Sequence, residues 1–474
     1  MNVLRYRISV THIKSVLLVV VIANVLIPVY SQVETLQNWS MFGHDASHTW
    51  STPSTLHFPL QIQWSVNYTT VQTHPAVVGD SVFVATSGDF QSSGKVYSLD
   101  RDSGLVRWTC DTGGTVFGGV SPAVSDDLLF LPISYLGPTS EVNVTQQTTS
   151  LAAGAIIALQ RSSGKLIWSR QTLHPIFTSP AIDGGSVYVV LDGEGIFALD
   201  VATGSVEWFY PVATIGTATA SPIAYEGAIY VPLFGKGIFA LDARTGVLKW
   251  QYAPEDARAG VGEGLTAGSG MVFITISDRS QGADTRMVYL VALAAQTGHV
   301  VWKRLIYNFT YSPPDLSVSG RLYPALVNRT LIVTGNLGGT HANSTGGVIA
   351  LDAETGGVIW SSLAPVMDNI AVAGSSVIGF VWQSLMRPPT LVAFDAMTGL
   401  KVWEWPLPIL GSAYGPTVAA GSLYVAIWTL GLYSLGSAAG IPEFNHAVIW
   451  APLLCFAIIS LLLRKPQRNF RNSH

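Results

Sequence analysis

Few residues in this chain have the type and spacing that chemistry requires. His44, next to Asp45, and His48 would bring two imidazoles to one face of a helix, as in a transition-metal site. The segment has no helical periodicity and no third convincing ligand, so no metal is expected there. Glu263, Asp368 and Asn369 carry oxygen donors of the kind a hard cation takes. GVGEG (260–264) brushes a phosphate-loop spacing but precedes a strand instead of opening a helix, and is expected to be a flexible loop. Cys110 and Cys455 are the only cysteines, too few for a disulfide framework. Cys110 is expected to be a buried lone thiol beside Trp108, and Cys455 lies inside an apolar run. G-x-S-x-G, H-E-x-x-H and zinc-type cysteine spacings are all missing from the sequence. No catalytic residue and no metal site is expected.

Something must nevertheless organise 474 residues of which 49% are apolar and only 11% charged. With 46 glycines and 14 tryptophans and no long helical blocks, the composition excludes disorder, collagen and coiled coil. The formal charge of −4 is unevenly spread. Residues 1–31 carry three cations and residues 464–474 carry four, with no acid in either, which leaves −11 for the middle. Such a surface repels phosphate backbones, so nucleic-acid binding is not expected.

The ends read as targeting signals. Basic residues, then SVLLVVVIANVLIPV, then Val29-Tyr30-Ser31 form a secretory signal peptide over 1–31. AVIWAPLLCFAIISLLL (447–463) is 17 residues, about 26 Å of helix, near the lower limit for a span and suited to a thin early-secretory bilayer. Arg464-Lys465 follow it, so the tail, 464–474, is expected in the cytoplasm of a single-pass type I protein. Six N-glycosylation sequons, at Asn38, Asn67, Asn143, Asn308, Asn328 and Asn343, all lie between the two apolar runs.

The middle is a repeat. Seven eleven-residue segments, from SLDRDSGLVRW (98–108) through ALDVATGSVEW (198–208) to AFDAMTGLKVW (393–403), join a strand end, a D-x-x-T-G turn and a strand closing on tryptophan. The Asp accepts turn N–H groups, and the Gly takes the positive-φ position. Gln160 and Ala294 replace that Asp, so their turns are expected to be less tightly fixed. Eight proline-rich or equivalent heads, among them HPAV (74–77), SPAV (121–124), SPAI (179–182), YPAL (323–326) and GPTV (415–418), each start a unit. The eighth unit stops after GLYSLG (431–436), and LQIQWSVN (60–67) supplies its missing strand, with Trp64 in the repeat position. The expectation is an all-β, eight-bladed β-propeller closed by an N-terminal strand, plus one C-terminal transmembrane helix. Residues 32–56 form its lead-in, 57–436 the propeller and 437–446 the juxtamembrane linker.

These eleven-mers, together with NWSMFGHDASHTWSTPST (38–55), resemble the repeats and lead-in of the pyrroloquinoline-quinone (PQQ) propeller superfamily over roughly residues 38–436. That family includes quinoprotein alcohol dehydrogenases and a non-enzymatic bacterial outer-membrane assembly lipoprotein; the lumenal domains of ER-stress sensor kinases are more distantly similar. The resemblance implies that Trp64, Trp108, Trp168, Trp208, Trp250, Trp302, Trp360 and Trp403 wedge between blades as structural residues. It also implies a possible quinone and Ca²⁺ site, for which Glu263, Asp368 and Asn369 at strand-A starts are the candidates. The chain lacks the vicinal cysteine pair of many such enzymes, and most other heads (Ser121, Ser179, Ser221, Tyr323, Gly415) are neutral. No cofactor is therefore expected. The reading is a non-catalytic, membrane-anchored glycoprotein of the endoplasmic reticulum, secretory pathway or cell surface. A protein or carbohydrate partner is expected on the face of the B–C and D–A loops, the longest being 135–154, 277–288 and 335–346. The alternatives are a lumenal sensing or assembly factor, whose 11-residue tail is too short for a kinase, and a quinone-dependent dehydrogenase.

Overall fold

A computed structural model describes residues 38–437 except 69, 72, 89–92, 136–153, 213–219, 255–259, 279–284, 311–322, 337–345, 364–369, 382–387, 408–412 and 429. Strands alternate with tight turns in eight sheets, each an antiparallel A-B-C-D meander. Blade 1 runs from Ala76–Val78 to Val106–Asp111, and blade 7 from Ala371–Ala373 to Lys401–Pro406. In blade 8, strands Ala413–Ala419, Ser422–Ile427 and Gly431–Ser437 are completed by Leu60–Val66, paired through Leu60↔Ser437 and Trp64↔Ser434. The ring is closed by the N-terminal strand, as the repeat count requires. Among the described residues no helix is long and apolar enough to cross a membrane; residues 1–31 and 447–463 lie outside them.

Strands B and C are almost wholly buried, Ala228–Leu233 being buried at all six positions, whereas strand D alternates, Lys401–Pro406 reading exposed and half-buried by turns. A strand sandwiched on both faces loses its alternation, and an outermost strand keeps it. Each C–D turn is tied to the A–B turn of its own blade: Arg101 N–H donates to the Asp80 carbonyl and Val201 N–H to that of Gly185. Both turns therefore lie on one face and the B–C and D–A connections on the other.

Several expectations need correction. GVGEG is not a loop: residues 260–264 begin strand A of blade 5, Gly260–Gly268, which pairs with Met271–Asp278. A register break between Val261 and Leu265 absorbs the glycines, and a Cβ on Gly262 would lie 2.3 Å from the Thr275 hydroxyl. The blade-5 B–C loop shrinks to 279–284, because the flanking strands extend to Asp278 and start at Thr285. Cys110 is half-buried on strand D and not buried. The turns lacking Asp keep their backbone: Gly298 N–H still donates to the Ala294 carbonyl at 2.8 Å, and Gly164 N–H to that of Gln160 at 2.8 Å. What they lose is the side-chain clamp, wholly at Ala294 and in part at Gln160, whose Oε1 still accepts from the Ser163 hydroxyl.

Candidate functional site

The two places that organise this molecule are the seams between blades and the central channel. At the seams the repeat chemistry explains itself. In the Asp turns, Asp242 Oδ1 accepts from both the N–H and the hydroxyl of Thr245, and these bonds hold its carboxyl below the usual carboxylate range. The turn glycine then presents a bare Cα to the preceding blade. Gly204 (φ +68°) lies so close to Trp168 that a Cβ would sit 2.6 Å from the indole. Trp168 Nε1 donates to the Val201 carbonyl in the same turn at 2.9 Å. The same bond runs from Trp64 to Arg101, Trp108 to Arg161, Trp208 to Ala243, Trp250 to Ala295, Trp302 to Ala353 and Trp360 to Ala396. Trp403 has no such turn ahead of it, because blade 8 is closed by two chain ends; its ring packs on Phe58 at 5.3 Å. Sequence reasoning missed the strand-B aromatic that backs six of the indoles, as Phe130 does Trp168 (5.7 Å) and Tyr230 does Trp250 (5.7 Å), while Ile332 and Ile378 hold that place in blades 6 and 7. Its signal is present in the repeat, in an aromatic third from the start of strands such as SVYVVL and AIYVPL.

The channel is filled from the A–B side by the lead-in, which is part of the propeller and not a preface to it. Strand A has an unpaired inner edge, and residues 38–54 supply its partners around the ring. Carbonyls of Trp39, Ser40, Ala46, Ser47, Thr49 and Trp50 accept N–H groups of Val77, Val124, Ala224, Ala267, Leu326 and Val372, on blades 1, 2, 4, 5, 6 and 7. Ser51–Thr52 adds a short parallel strand to blade 7, and Ser54 Oγ accepts from Gly421 of blade 8. One circuit thus satisfies donors that would otherwise be buried without partners. The side chains fill the axis: Trp39 and Trp50 are fully buried, and Phe42 meets His48, Trp50, His74 and Tyr323 edge-on at 5.0–5.4 Å. The apolar residues Trp39, Phe42 and Trp50 in a segment with no strand period were the available clue.

Two titratable groups lie in this plug. Burial would raise the Asp45 carboxyl, but bonds from the His44 Nδ1 (3.1 Å) and the Thr49 hydroxyl (2.5 Å) outweigh it and hold it low. Burial pushes His48 down to about 4, against the pull of Asp45. His44 and His48 do not converge on a common point with a third ligand, and among the described residues no group of three His, Cys, Asp or Glu is placed to hold a metal ion.

At the other end of strand A, the heads are engaged in joining blades. Ser179 Oγ accepts from Ser121 N–H, Ser221 Oγ from Ser179 N–H, and His74 Nδ1 from Gly415 N–H, at 2.9, 2.9 and 3.0 Å. Asp368 and Asn369 lie outside the described residues, as does the Glu263 side chain. Rings of the chain itself fill the axis from the A–B side, and the heads Ser179, Ser221 and His74 turn their polar atoms to neighbouring blades.

Of the sequons, Asn328 is exposed in an A–B turn, Asn67 is exposed just after Leu60–Val66, and Asn308 falls within strand Val300–Thr310. Asn38 is half-buried, its Oδ1 accepting from Gly79 N–H. Asn143 and Asn343 lie outside the described residues.

Fold and seams together define an eight-bladed β-propeller with tryptophan-docked blades, and two family models of PQQ propellers match parts of it. The model described as outer membrane protein assembly factor BamB matches residues 137–275, and that of the glucose/ethanol/alcohol dehydrogenase β-propeller domain matches 212–362. The chain is 25% identical over 384 residues to the tetrathionate hydrolase of Acidithiobacillus ferrooxidans, covering 74% of this chain and 62% of that protein. It is 24% identical over 184 residues to the outer membrane protein assembly factor BamB of Moranella endobia, covering 31% and 46%. It therefore spans less than two thirds of the length of either relative. The quinohemoprotein alcohol dehydrogenase of Comamonas testosteroni superposes with a TM-score of 0.55 at 15% identity, covering 86% of this chain and 82% of that one, a likeness of fold.

Proposed function

We propose that this chain is a non-catalytic scaffold: a propeller glycoprotein held in a secretory-pathway or surface membrane by residues 447–463, which binds a protein partner through its B–C/D–A face. The observation that carries this reading is the plugged channel. The axis of the ring, where a propeller has room for a small ligand, is packed with Trp39, Phe42, Trp50, His74 and Tyr323. A rigid ring plugged from its A–B side offers its B–C and D–A loops to a partner. The likeness to an assembly factor supports a protein partner over a carbohydrate one. The basic, apolar and glycosylatable segments outside or between the blades support the type I topology.

Replacing residues 138–150 by a short Gly-Ser link is expected to leave thermal unfolding unchanged and to weaken recovery of the main partner in affinity capture. Unchanged recovery, with loss on substituting exposed C–D turn residues, overturns the choice of face. Endoglycosidase treatment should lower the apparent mass, and protease added to sealed vesicles should remove only 464–474; digestion of the propeller there overturns the topology.

A second reading is favoured by one observation, the hydrolase likeness over 74% of the chain. It is tested by incubating the purified full chain with tetrathionate, and with PQQ, Ca²⁺ and an alcohol. Turnover in the latter that disappears with Asp368→Ala or Glu263→Ala makes the protein a quinone enzyme and not a scaffold.

A further inference from the structure

The C–D turns are near-copies of one another in backbone but not in what they expose. At the third turn position blades 1 to 6 carry Asp102, Ser162, Ala202, Arg244, Gln296 and Glu354, while blade 7 carries Met397, 81% exposed. At the position after the glycine, Lys165, Ser205, His299 and Gly357 occupy blades 2, 3, 5 and 6, but Leu400 (68% exposed) and Leu105 (71% exposed) occupy blades 7 and 1. Blades 7 and 1 are neighbours through blade 8, as the packing of Trp403 on Phe58 and of Trp64 on Gly104 shows. Blade 8 adds Ile62 on the same rim, and Val402 extends it, both about half exposed. Half-exposed apolar residues such as Leu166, Val300 and Ile359 occupy the strand-D positions of Ile62 and Val402 in other blades as well, so the distinction lies in the turns, where Val247 of blade 4, on the far side of the ring, is the one other large apolar residue at the two positions compared.

The arc surrounds the point where the chain leaves the fold. Strand C of blade 8 ends at Ser437, on the C–D face, where the other blades have their turn. Nine residues, 438–446, then precede the apolar run 447–463, a reach of at most about 32 Å when fully extended. A tether that short holds the exit point, and the turns flanking it, close to whatever the apolar run enters.

We infer that the propeller leans on the bilayer by this edge, with Met397, Leu400 and Leu105 seated in the interfacial region of the lumenal or outer leaflet. The inference rests on the reading of 447–463 as a membrane span. Apolar side chains left in water at two turns flanking blade 8 are stabilised by transfer into the acyl boundary. The neighbouring charges suit headgroup depth: Asp102 is paired with Arg101 at 3.2 Å, and Arg107 with Asp80 at 2.7 Å. The ring would then stand tilted, blade 8 down and blade 4 up, and the B–C loops of blades 3 to 5 would be presented farthest from the membrane.

The test uses the full chain reconstituted alone in phosphatidylcholine vesicles, with an environment-sensitive fluorophore on single cysteines. Cys110→Ser and Cys455→Ser provide the background for M397C, L105C and, as far-side references, A202C and R244C, while native Cys455 with Cys110→Ser reports the span. The expected result is a blue shift and quenching by brominated lipid at 397, 105 and 455, and neither at 202 or 244. Aqueous spectra at 397 and 105 with 455 in lipid overturn the leaning edge while leaving the span intact, and point to a membrane protein partner covering the arc. An aqueous 455 overturns the span and the inference with it. The triple change Met397→Asp, Leu400→Asp, Leu105→Asp should release a label at Val402→Cys into water without altering thermal unfolding.

Discussion

The outer and inner rims of this ring solve the same problem in opposite ways. Every blade must be fixed to the next, and strand edges must not be left raw. On the outer rim the solution is modular: one tryptophan, one glycine and one carbonyl per seam, repeated seven times with bonds of 2.8–2.9 Å. On the inner rim it is singular: one lead-in segment, used once, makes a different contact with each blade it passes. A modular seam tolerates local failure, because each joint stands alone. A continuous plug concentrates the consequence of failure in a few buried side chains.

The sharpest way to break this comparison is to truncate one residue on each rim. Trp50→Ala removes a fully buried indole from the axis and is expected to cost about 3–5 kcal/mol in urea unfolding. Trp403→Ala, at the one seam without a receiving turn, should cost clearly less; equal losses would show that the inner rim holds no special place.

Acid should act on the plug before it acts on the seams. Burial holds His48 in the fold at about 4 against the ordinary 6.5 of a free imidazole, so between those values the unfolded chain binds a proton that the folded chain does not. Stability is then full above pH 6.5 and falls as pH drops toward 4, by roughly 3 kcal/mol at about 1.4 per pKa unit. The turn carboxylates have the other origin: Asp100, Asp242 and Asp395 are held below their usual range by hydrogen bonds, so their contribution is intact above about pH 4 and is lost only below it. His48→Gln should flatten the slope between pH 6.5 and 4; an unchanged slope places the acid sensitivity elsewhere.

Smaller effects probe single seams. Gly204→Ala puts a Cβ against the Trp168 indole at positive φ and is expected to cost about 1–3 kcal/mol, whereas Gly227→Ala, also at positive φ but with open space around it, should cost less. The difference between the two in urea midpoint isolates the tryptophan contact from the backbone strain. Ala294→Asp restores the missing turn clamp of blade 5 and should stabilise by under about 1 kcal/mol, since the turn backbone already has the bonded form and the new bonds are exposed. A loss instead would mean that this turn differs from its six counterparts.

Blade number, strand order and the closing role of Leu60–Val66 were legible in the sequence because repetition makes them redundant: seven copies of one hairpin and eight heads constrain one another. The tryptophan seams were legible for the same reason. The plug was not. His48 and Trp50 belong to a segment that occurs once, and their burial comes from strand-A donors more than 20 residues, and up to more than 300, further along the chain. The roles of Ser179, Ser221 and His74 were hidden likewise, because a hydroxyl or imidazole at a strand start looks the same whether it faces a ligand or the next blade's N–H. Local pattern determines elements and their repetition, since turn chemistry and strand period act over a few residues. What fills the axis was decided only when the distant strand-A edges came together and left donors on seven blades for a single segment to satisfy.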